Sequence, residues 1–167
     1  MHTLTLRTAE ARDAEAIAEI YNYEVTHGVS TFDLTLRSVE EQRAWISARG
    51  GAFSVIVADD TLLGVVGFAA LSTYRDRAGY RTTVENSIYV HRDQQRRGIG
   101  KLLLVRLLDI ARDSGFHTVI ARIEASSEGS LALHTSLGFI KVGIEREIGR
   151  KHGRWLDSII MQKMLAE

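Results

Sequence analysis

The chain has 167 residues, a formal net charge of zero, and neither cysteine nor proline. This length suits one domain, and the balanced charge creates no overall field that would attract nucleic acid. The absence of cysteine excludes disulfides, thiolate metal sites and a cysteine nucleophile. No apolar run approaches the ~18 residues that a membrane span needs, and the alternating N-terminal residues lack the apolar stretch of a signal peptide. We expect one cytoplasmic domain over residues 1–167 that uses no metal and binds neither nucleic acid nor a membrane.

The hydrophobic pattern predicts seven strands and four helices in the order β-α-α-β-β-β-α-β-α-β-β. Apolar residues from Ala14 to Val25 recur at helical spacing, and Ser38 with Glu41 forms a capping-box pattern that begins a second helix. The predicted strands cover residues 3–7, 53–58, 62–70, 82–90, 118–123, 139–145 and 155–164, and the later helices cover residues 100–113 and 130–137. The fold class is α/β, a mixed central sheet of about seven strands flanked by about four helices.

One stretch joins the strand that ends at Val90 to the helix that begins near Gly100. Such a junction leaves backbone N–H groups unpaired at the positive end of the helix dipole, which favours an anion. Glycine lets the backbone approach a phosphate closely, and three basic side chains add charge: Arg96, Arg97 and Lys101. The stretch has neither the Walker pattern nor the third glycine of the dinucleotide fingerprint. It predicts a pyrophosphate site, with a solvated basic helix start as the alternative.

Two ionisable residues lie in segments that are otherwise apolar. Glu85 stands at the start of the strand that leads to this loop, and burial there would raise its pKa toward the range of a general base. The alternative for Glu85 is an exposed strand-end carboxylate or a salt bridge to Arg81. His134 lies among leucines in the short helix, where the alternative is a core histidine with satisfied hydrogen bonds.

The loop resembles motif A of the GNAT superfamily of acetyl-CoA-dependent N-acetyltransferases, Gln/Arg-x-x-Gly-x-Gly/Ala. The predicted element order also matches the GNAT fold along essentially the whole chain. The resemblance implies that acetyl-CoA is the co-substrate and that its pyrophosphate is held by Gln95, Arg96, Arg97, Gly98, Ile99, Gly100 and Lys101. It also implies that Ile88, Tyr89 and Val90 contact the acetyl and pantetheine arm, with the Val90 N–H as the oxyanion donor.

Five separated blocks narrow the resemblance to the phosphinothricin acetyltransferase family, whose members acetylate methionine sulfoximine, methionine sulfone and sometimes other free amino acids. The blocks are residues 20–22, 75–80, 84–90, 133–139 and 149–157. The resemblance implies that Glu85, which also contacts the substrate, is the base and that His134 is a second catalytic residue.

The same resemblance implies a grip on the amino-acid-like substrate by Arg75, Arg77 and Tyr80. A guanidinium pair can hold a carboxylate or phosphinate by forked hydrogen bonds, although a solvated loop is the alternative. Phe32 would line the substrate side, with a loop anchor as its alternative.

One position departs from the family, which usually has asparagine where Ser127 stands. Ser130 keeps the family's serine and is expected to bind the cofactor or cap the short helix. Family members are usually homodimers in which residues 149–154 lie near the partner and the pocket, while Trp155 is more often a core residue.

These observations predict direct transfer of an acetyl group to the amine of a small amino-acid-like substrate, in a ternary complex. One alternative keeps the enzyme class and changes the acceptor to a canonical amino acid, a protein N-terminus or a polyamine. Another is a non-catalytic module that senses acetyl-CoA, which would have little use for Glu85 and His134 together.

Overall fold

The structure is a computed structural model that describes residues 3–165, so residues 1–2 and 166–167 of the predicted domain lie outside it. Its strands are β1 (Leu4–Thr8), β2 (Ile56–Asp60), β3 (Gly64–Thr73), β4 (Thr83–Val90), β5 (Thr118–Glu124), β6 (Ile140–Lys151) and β7 (Arg154–Met164). Its α-helices are α1 (Ala14–His27), α2 (Val39–Ser47), α3 (Ile99–Asp113) and α4 (Glu128–Ser136). The predicted order and the α/β class are confirmed. Between residues 3 and 165, none of the helices is both long and apolar enough to cross a membrane.

All seven strands form one mixed sheet in the order β1-β2-β3-β4-β5-β7-β6. Among the described residues, β4 and β5 are the one parallel pair, and every other pair of neighbours is antiparallel. Helix α3 makes the crossover that a parallel pair requires. β4 therefore lies in the middle of the sheet, directly before the loop that was predicted to bind a pyrophosphate.

Several strand boundaries differ from the predictions: β2 begins at residue 56 and not 53, β3 ends at residue 73 and not 70, and two predicted turns change. The segment expected to turn at residues 59–60 remains a strand through Asp60, because Asp60 pairs with Gly64 and its Oδ1 accepts the N–H groups of Leu62 and Leu63. The glycine-rich loop expected at residues 149–154 is a tight turn, since β6 continues to Lys151 and β7 begins at Arg154. Residues 152 and 153 both have positive φ, as a two-residue hairpin turn of type I′ requires.

The helices cover the two faces of the sheet with separate apolar clusters. On one face α3 buries Leu103, Leu104 and Leu107 completely. On the other face α1 and α2 form a second cluster around Ile17 and Ile20. Side chains alternate along β4, so each face of this strand meets a different cluster.

Candidate active site

A wedge-shaped gap, hereafter the wedge, divides the sheet between β4 and β5. The parallel ladder between these strands has three pairs and ends at Glu85 and Ile120. Both strands continue beyond it, β4 to Val90 and β5 to Glu124. The facing edges of two separating strands carry backbone groups that an extended ligand can use.

The phase of the β3–β4 ladder determines which backbone groups face the wedge. The His91 N–H donates to the Val66 carbonyl at 2.8 Å, in register with the rest of the ladder. Antiparallel residues alternate between hydrogen-bonded and non-hydrogen-bonded pairs. The N–H groups of Asn86, Ile88 and Val90 therefore point away from β3. The Asn86 N–H is used by the last pair of the parallel ladder, so Ile88 and Val90 direct theirs into the wedge.

The wide end of the wedge meets the start of α3. The chain enters this helix through Gly98, whose φ of +80° is a left-handed value that favours glycine. The first-turn N–H groups of this helix of 15 residues have no partner within the helix and lie at the positive end of its dipole. A Cβ added to Gly100 would lie 3.3 Å from Leu133 and 3.8 Å from Val90, so the helix start is set closely against the end of β4.

We call residues 95–101 the cradle. Its basic side chains, Arg96, Arg97 and Lys101, are exposed, and Arg97 also contacts Gln94 and lies 3.9 Å from Asp60. Ile99 is buried, so it offers the cradle only its backbone. Convergent N–H groups with mobile cations suit a pyrophosphate, while the N–H groups of the wedge suit the amide-bearing arm attached to it.

Tyr89 points its side chain away from this site. Its ring stacks on Phe68 with centroids 5.2 Å apart and meets the edge of Tyr21 at 5.3 Å, on the α1 face of the sheet. Burial raises the pKa of the Tyr89 phenol well above its usual value. Among the three predicted cofactor residues of β4, Ile88 and Val90 turn their N–H groups to the wedge, while Tyr89 supports the strand from behind.

Glu85 lies at the narrow end of the wedge, on the α1 face. Its side chain is 29% exposed, and its Oε2 lies 3.6 Å from Arg122 Nε. Arg122 Nη1 also donates to both oxygens of Glu145 at 3.0 Å. Burial raises the pKa of Glu85; Arg122 opposes this rise and the Glu145 carboxylate adds to it. The ion-pair partner is thus Arg122 and not Arg81.

His134 lies on the opposite face of the sheet and is 3% exposed. Its Nδ1 is 2.8 Å from the Ser130 carbonyl, which can only accept, so Nδ1 carries the proton. Its Nε2 accepts from Asn86 Nδ2 at 2.9 Å, and its ring meets Phe139 edge-on at 4.9 Å. Burial lowers the pKa of His134, which keeps the ring neutral.

Asn86 and the Arg122–Glu145 pair were not assigned a role from the sequence. Asn86 is 8% exposed, and its Oδ1 has no hydrogen-bond partner among the described residues. A polar residue at an inward position of a strand was the available signal. No comparable signal existed for Arg122 and Glu145, because they meet only through the order of the strands.

Arg75, Arg77 and Tyr80 lie together in the loop between β3 and β4, where they line a pocket of about 420 Å³ with Asp76. The Arg75 guanidinium lies over the Tyr80 ring at 5.5 Å. This loop precedes β4 and so stands near the Glu85 end of the strand, whereas the cradle stands at the other end.

Phe32 occupies a different place from the arginine loop. A Cβ added to Gly149 would lie 2.5 Å from its ring, so the ring packs closely against the backbone of β6 at Gly149. Lys151 is buried next to it, and its Nζ donates to the carbonyls of Glu24 and Thr31, each at 2.8 Å. The Tyr21 hydroxyl bonds Thr31 Oγ1 at 2.9 Å, which joins the Phe32 loop to the α1 face of β4.

Two further predictions are settled by α4 and the final hairpin. Ser127 is the N-cap residue of α4, without a side-chain cap bond, so the alternative that Ser130 caps the helix is wrong. Ser130 lies in the first turn, with its Oγ 3.5 Å from His134 Nδ1. Trp155 was expected in the core and is instead 58% exposed beneath the Arg150 guanidinium, because it lies beside the turn of the β6–β7 hairpin.

The parallel strands β4 and β5 thus separate around a wedge that has the cradle at its wide end and the Glu85 carboxylate at its narrow end. The chain belongs to the GNAT acetyltransferase family, since residues 6–160 match the family described as "Acetyltransferase (GNAT) domain". Among residues 3–165, no group of three or more histidine, aspartate or glutamate side chains is placed to hold a metal ion.

Several relatives are similar along nearly the whole chain. The L-amino acid N-acyltransferase MnaT of Escherichia coli K12 is 42% identical over 98% of this chain and 95% of its own length. The L-methionine sulfoximine/L-methionine sulfone acetyltransferase of Salmonella typhimurium LT2 is 40% identical over 98% and 96%. A solved phosphinothricin acetyltransferase from Sinorhizobium meliloti, in complex with acetyl-CoA, is 41% identical with a TM-score of 0.93, over 98% of this chain and 89% of that one. The predicted family is thereby confirmed.

Proposed function

We propose that this enzyme transfers the acetyl group of acetyl-CoA to the amino group of a small amino-acid-like acceptor, of the methionine sulfoximine, methionine sulfone or phosphinothricin type. The observation that carries the proposal is the position of Glu85 at the narrow end of the wedge, on the same strand that reaches the cradle. Relatives with 40% or more identity are named for amino-acid-like substrates, which supports the choice of acceptor.

In this proposal the pyrophosphate of the acyl donor binds the cradle, through the first-turn N–H groups of α3 and the basic side chains. The N–H groups of Ile88 and Val90 hold the arm that carries the thioester. The Val90 N–H donates to the thioester oxygen as that oxygen gains negative charge. Since these donors are part of the backbone, the strand is already arranged for the reaction before the substrates bind.

Glu85 supplies the general base. An ammonium group must lose a proton before its nitrogen can attack, and Glu85 takes this proton directly or through a water molecule. A raised pKa makes the carboxylate a stronger base than an exposed glutamate. The chain has no cysteine to form an acyl-enzyme, so the amine attacks the thioester directly in a ternary complex.

The acceptor's acidic group is bound by Arg75 and Arg77, with Tyr80 beside them, and Phe32 closes the apolar side. Guanidinium pairs match a carboxylate, a phosphinate or a sulfone oxygen pair, and they disfavour a cationic acceptor such as a polyamine. This charge preference separates the amino-acid-like acceptors from the polyamine alternative.

We propose that His134 acts on this reaction through Asn86. The Nε2 atom of the neutral imidazole carries no proton and already accepts a hydrogen bond, and the Nδ1 proton is held by the Ser130 carbonyl. Neither ring nitrogen therefore supplies a proton to a departing thiolate. The ring can instead fix the Asn86 side chain and, with it, the part of β4 whose N–H groups face the wedge. Ser130 contributes the carbonyl that fixes the His134 tautomer.

We further propose that the enzyme works as a homodimer in the cytoplasm, where acetyl-CoA is available. β6 is an edge strand, and it exposes Ile140 (65%), Val142 (48%) and Ile144 (40%) at alternate positions. An exposed apolar edge of this kind requires a partner to avoid uncontrolled association. Light scattering at micromolar concentration measures the mass, and a monomer of 18.6 kDa would contradict the dimer.

The experiment that tests the proposed function is a thiol-release screen with acetyl-CoA. The acceptors are methionine sulfoximine, methionine sulfone, phosphinothricin, the canonical amino acids, spermidine and a peptide with a free N-terminus. We expect turnover with the amino-acid-like group and initial-rate lines that intersect, as a ternary complex requires. Preferential turnover of spermidine or the peptide would contradict the acceptor class. Binding of acetyl-CoA without turnover of any acceptor would favour the sensing module.

A further inference from the structure

We propose that Glu145 is a positioning residue that holds the Arg122 guanidinium away from Glu85 and so keeps the Glu85 carboxylate free to take the acceptor's proton. The inference rests on the proposed function, because it assumes that Glu85 is the base. It adds a second carboxylate and an arginine to the reaction, neither of which contacts the amine.

The contacts of Arg122 are unequal. Nη1 donates to both Glu145 oxygens at 3.0 Å, whereas Nε is 3.6 Å from Glu85 Oε2, beyond ordinary hydrogen-bond distance. The attraction between opposite charges grows as their separation falls, and a charge-assisted hydrogen bond adds to it. The interaction of Arg122 with Glu145 is therefore stronger than its interaction with Glu85, which is a longer-range electrostatic attraction.

The strand order brings these three side chains to one face. Glu145 on β6 and Glu124 on β5 both pair with Ser158 of β7, which lies between them. Arg122 stands two residues before Glu124 and two after Ile120, the partner of Glu85. All three side chains are partly exposed, between 28% and 32%, so the site is neither sealed nor fully screened.

Among the described residues, Arg122 is the cation whose charge lowers the pKa of Glu85, and the Glu145 carboxylate raises it. On the β3 side Ser72 is opposite Glu85, and the arginine that reaches it, Arg49, is held by the carbonyls of Leu71 and Phe53. A free guanidinium beside Glu85 would stabilise the ionised carboxylate and weaken it as a base. A weaker base transfers the proton less well at neutral pH.

The test uses Glu145→Gln and the pH dependence of kcat/KM, which reports ionisations of the free enzyme. Removing the carboxylate takes away a repulsive charge and releases Arg122 toward Glu85, so both changes lower the pKa of Glu85. We expect the acid limb of the profile to move to lower pH, and the plateau to fall by less than about tenfold, well short of losing a base. An unmoved acid limb would overturn the proposal.

Arg122→Gln gives the opposite sign, because Glu85 then loses its nearby cation and the acid limb moves to higher pH. In the Arg122→Gln background, Glu145→Gln should move the limb less than it does in the wild-type chain, since Glu145 acts largely through Arg122. Equal movement in both backgrounds would overturn the positioning role and leave a simple charge effect. Glu145→Asp, which keeps the charge, should restore part of the wild-type profile.

Glu147→Gln is the matched control, because Glu147 carries the same charge on the same strand and is exposed. It should leave the acid limb in place, and an equal shift would overturn the specific claim. The titration of Glu85 can be followed without turnover by carboxyl ¹³C NMR, with Glu85→Gln to identify the signal. Full activity in Glu85→Gln would remove the proposed base itself. An inactive Glu85→Gln with an unmoved limb in Glu145→Gln would remove only this inference.

Discussion

Glu85 and His134 stand on opposite faces of the central sheet, and their surroundings differ in charge and in access to water. Glu85 is 29% exposed and shares its face with the charged side chains of Arg122 and Glu145. His134 is 3% exposed, and its ring nitrogens are engaged by neutral groups, the Ser130 carbonyl and the Asn86 amide. Burial favours the neutral form in both cases, raising the pKa of Glu85 and lowering that of His134.

The difference indicates how the two faces divide the work. A general base must reach its substrate and must later lose the proton to solvent, which a partly exposed carboxylate can do. A buried neutral imidazole with both nitrogens occupied exchanges no proton easily, but it can hold a neighbouring strand in place. In the proposed mechanism, proton transfer thus takes place on the α1 face, and the α3 and α4 face holds the strand in position.

The variant with the largest expected effect is Glu85→Gln, which tests whether the α1 face supplies the general base. We expect kcat to fall by about 10²–10⁴-fold, the usual contribution of a general base, while acetyl-CoA binds as before. Stability at pH 7 should be unchanged or higher, because a carboxylate with a raised pKa in the fold favours unfolding above its ordinary pKa. Thiol release, calorimetric titration of acetyl-CoA and a urea melt measure the three quantities. Wild-type turnover would assign the base elsewhere.

The proposed binding of pyrophosphate by the cradle is tested by Gly100→Glu. A Cβ at position 100 meets Leu133 and Val90 within 4 Å, and the glutamate places a negative charge where the pyrophosphate is proposed to bind. We expect acetyl-CoA affinity to fall at least about 100-fold, which is roughly 2.7 kcal/mol of binding free energy. Gly129→Glu is a suitable control, because a Cβ there meets nothing within 4 Å. Retained acetyl-CoA binding in Gly100→Glu would place the pyrophosphate elsewhere.

The neutral state of His134 is tested by comparing the free energy of unfolding of the wild-type chain and of His134→Gln at pH 7.5 and 5.5. The unfolded histidine takes up a proton as the pH falls through 6.5, and the fold, where the His134 pKa is lower, does not. Below pH 6.5 the free energy of unfolding of the wild-type chain should therefore fall by up to about 1.4 kcal/mol per pH unit more than that of the variant. Urea unfolding measures this difference. The exposed His27→Gln should behave as the wild type, and an equal loss in His134→Gln would show that the ring is not held neutral.

Most of the fold follows from local signals in the sequence. The capping box forms as expected, since the Glu41 N–H donates to Ser38 Oγ at 3.1 Å and the Ser38 N–H donates to Glu41 at 2.6 Å. The spacing of apolar residues, together with the turn-forming residues between segments, also predicted the number and order of the strands and α-helices. The wedge could not be predicted in this way, because it depends on where β5 stops pairing with β4 and where β7 joins the sheet. Both are contacts between residues far apart in the chain.

The same distinction between local and long-range contacts separates the site residues that the sequence could predict from those that it could not. Gln95, Gly98 and Gly100 could be found because they are adjacent in sequence and their spacing reflects one turn of backbone. Arg122 and Glu145 could not, since their contact arises only after β7 has inserted between β5 and β6. Trp155 was misplaced for a related reason: its position beside the hairpin turn leaves it exposed, and that depends on how the hairpin packs and not on its apolar side chain.

The smallest expected effect extends the comparison to the far end of the α1 face, where Phe32 lies on Gly149. In Gly149→Ala the added methyl would lie 2.5 Å from the ring, so Phe32 must move. We expect the KM for the amino-acid-like acceptor to rise several-fold, since a displaced aromatic loses apolar contact of about 1 kcal/mol. The KM for acetyl-CoA and the acid limb of the pH profile should not change, because Glu85 and the cradle are untouched. Steady-state kinetics with each substrate varied in turn measure all three.

Gly143→Ala provides the matched control on the same strand, because a Cβ at Gly143 meets nothing within 4 Å and its φ is not positive. It should leave both KM values unchanged. If the two variants behave alike, the acceptor does not depend on Phe32, and the apolar side of its pocket must be sought elsewhere. If Gly149→Ala alone raises the acceptor KM, the α1 face carries acceptor recognition as well as proton transfer. The opposite face, which contains His134 and Asn86, then serves to hold β4, the strand that is proposed to present the thioester.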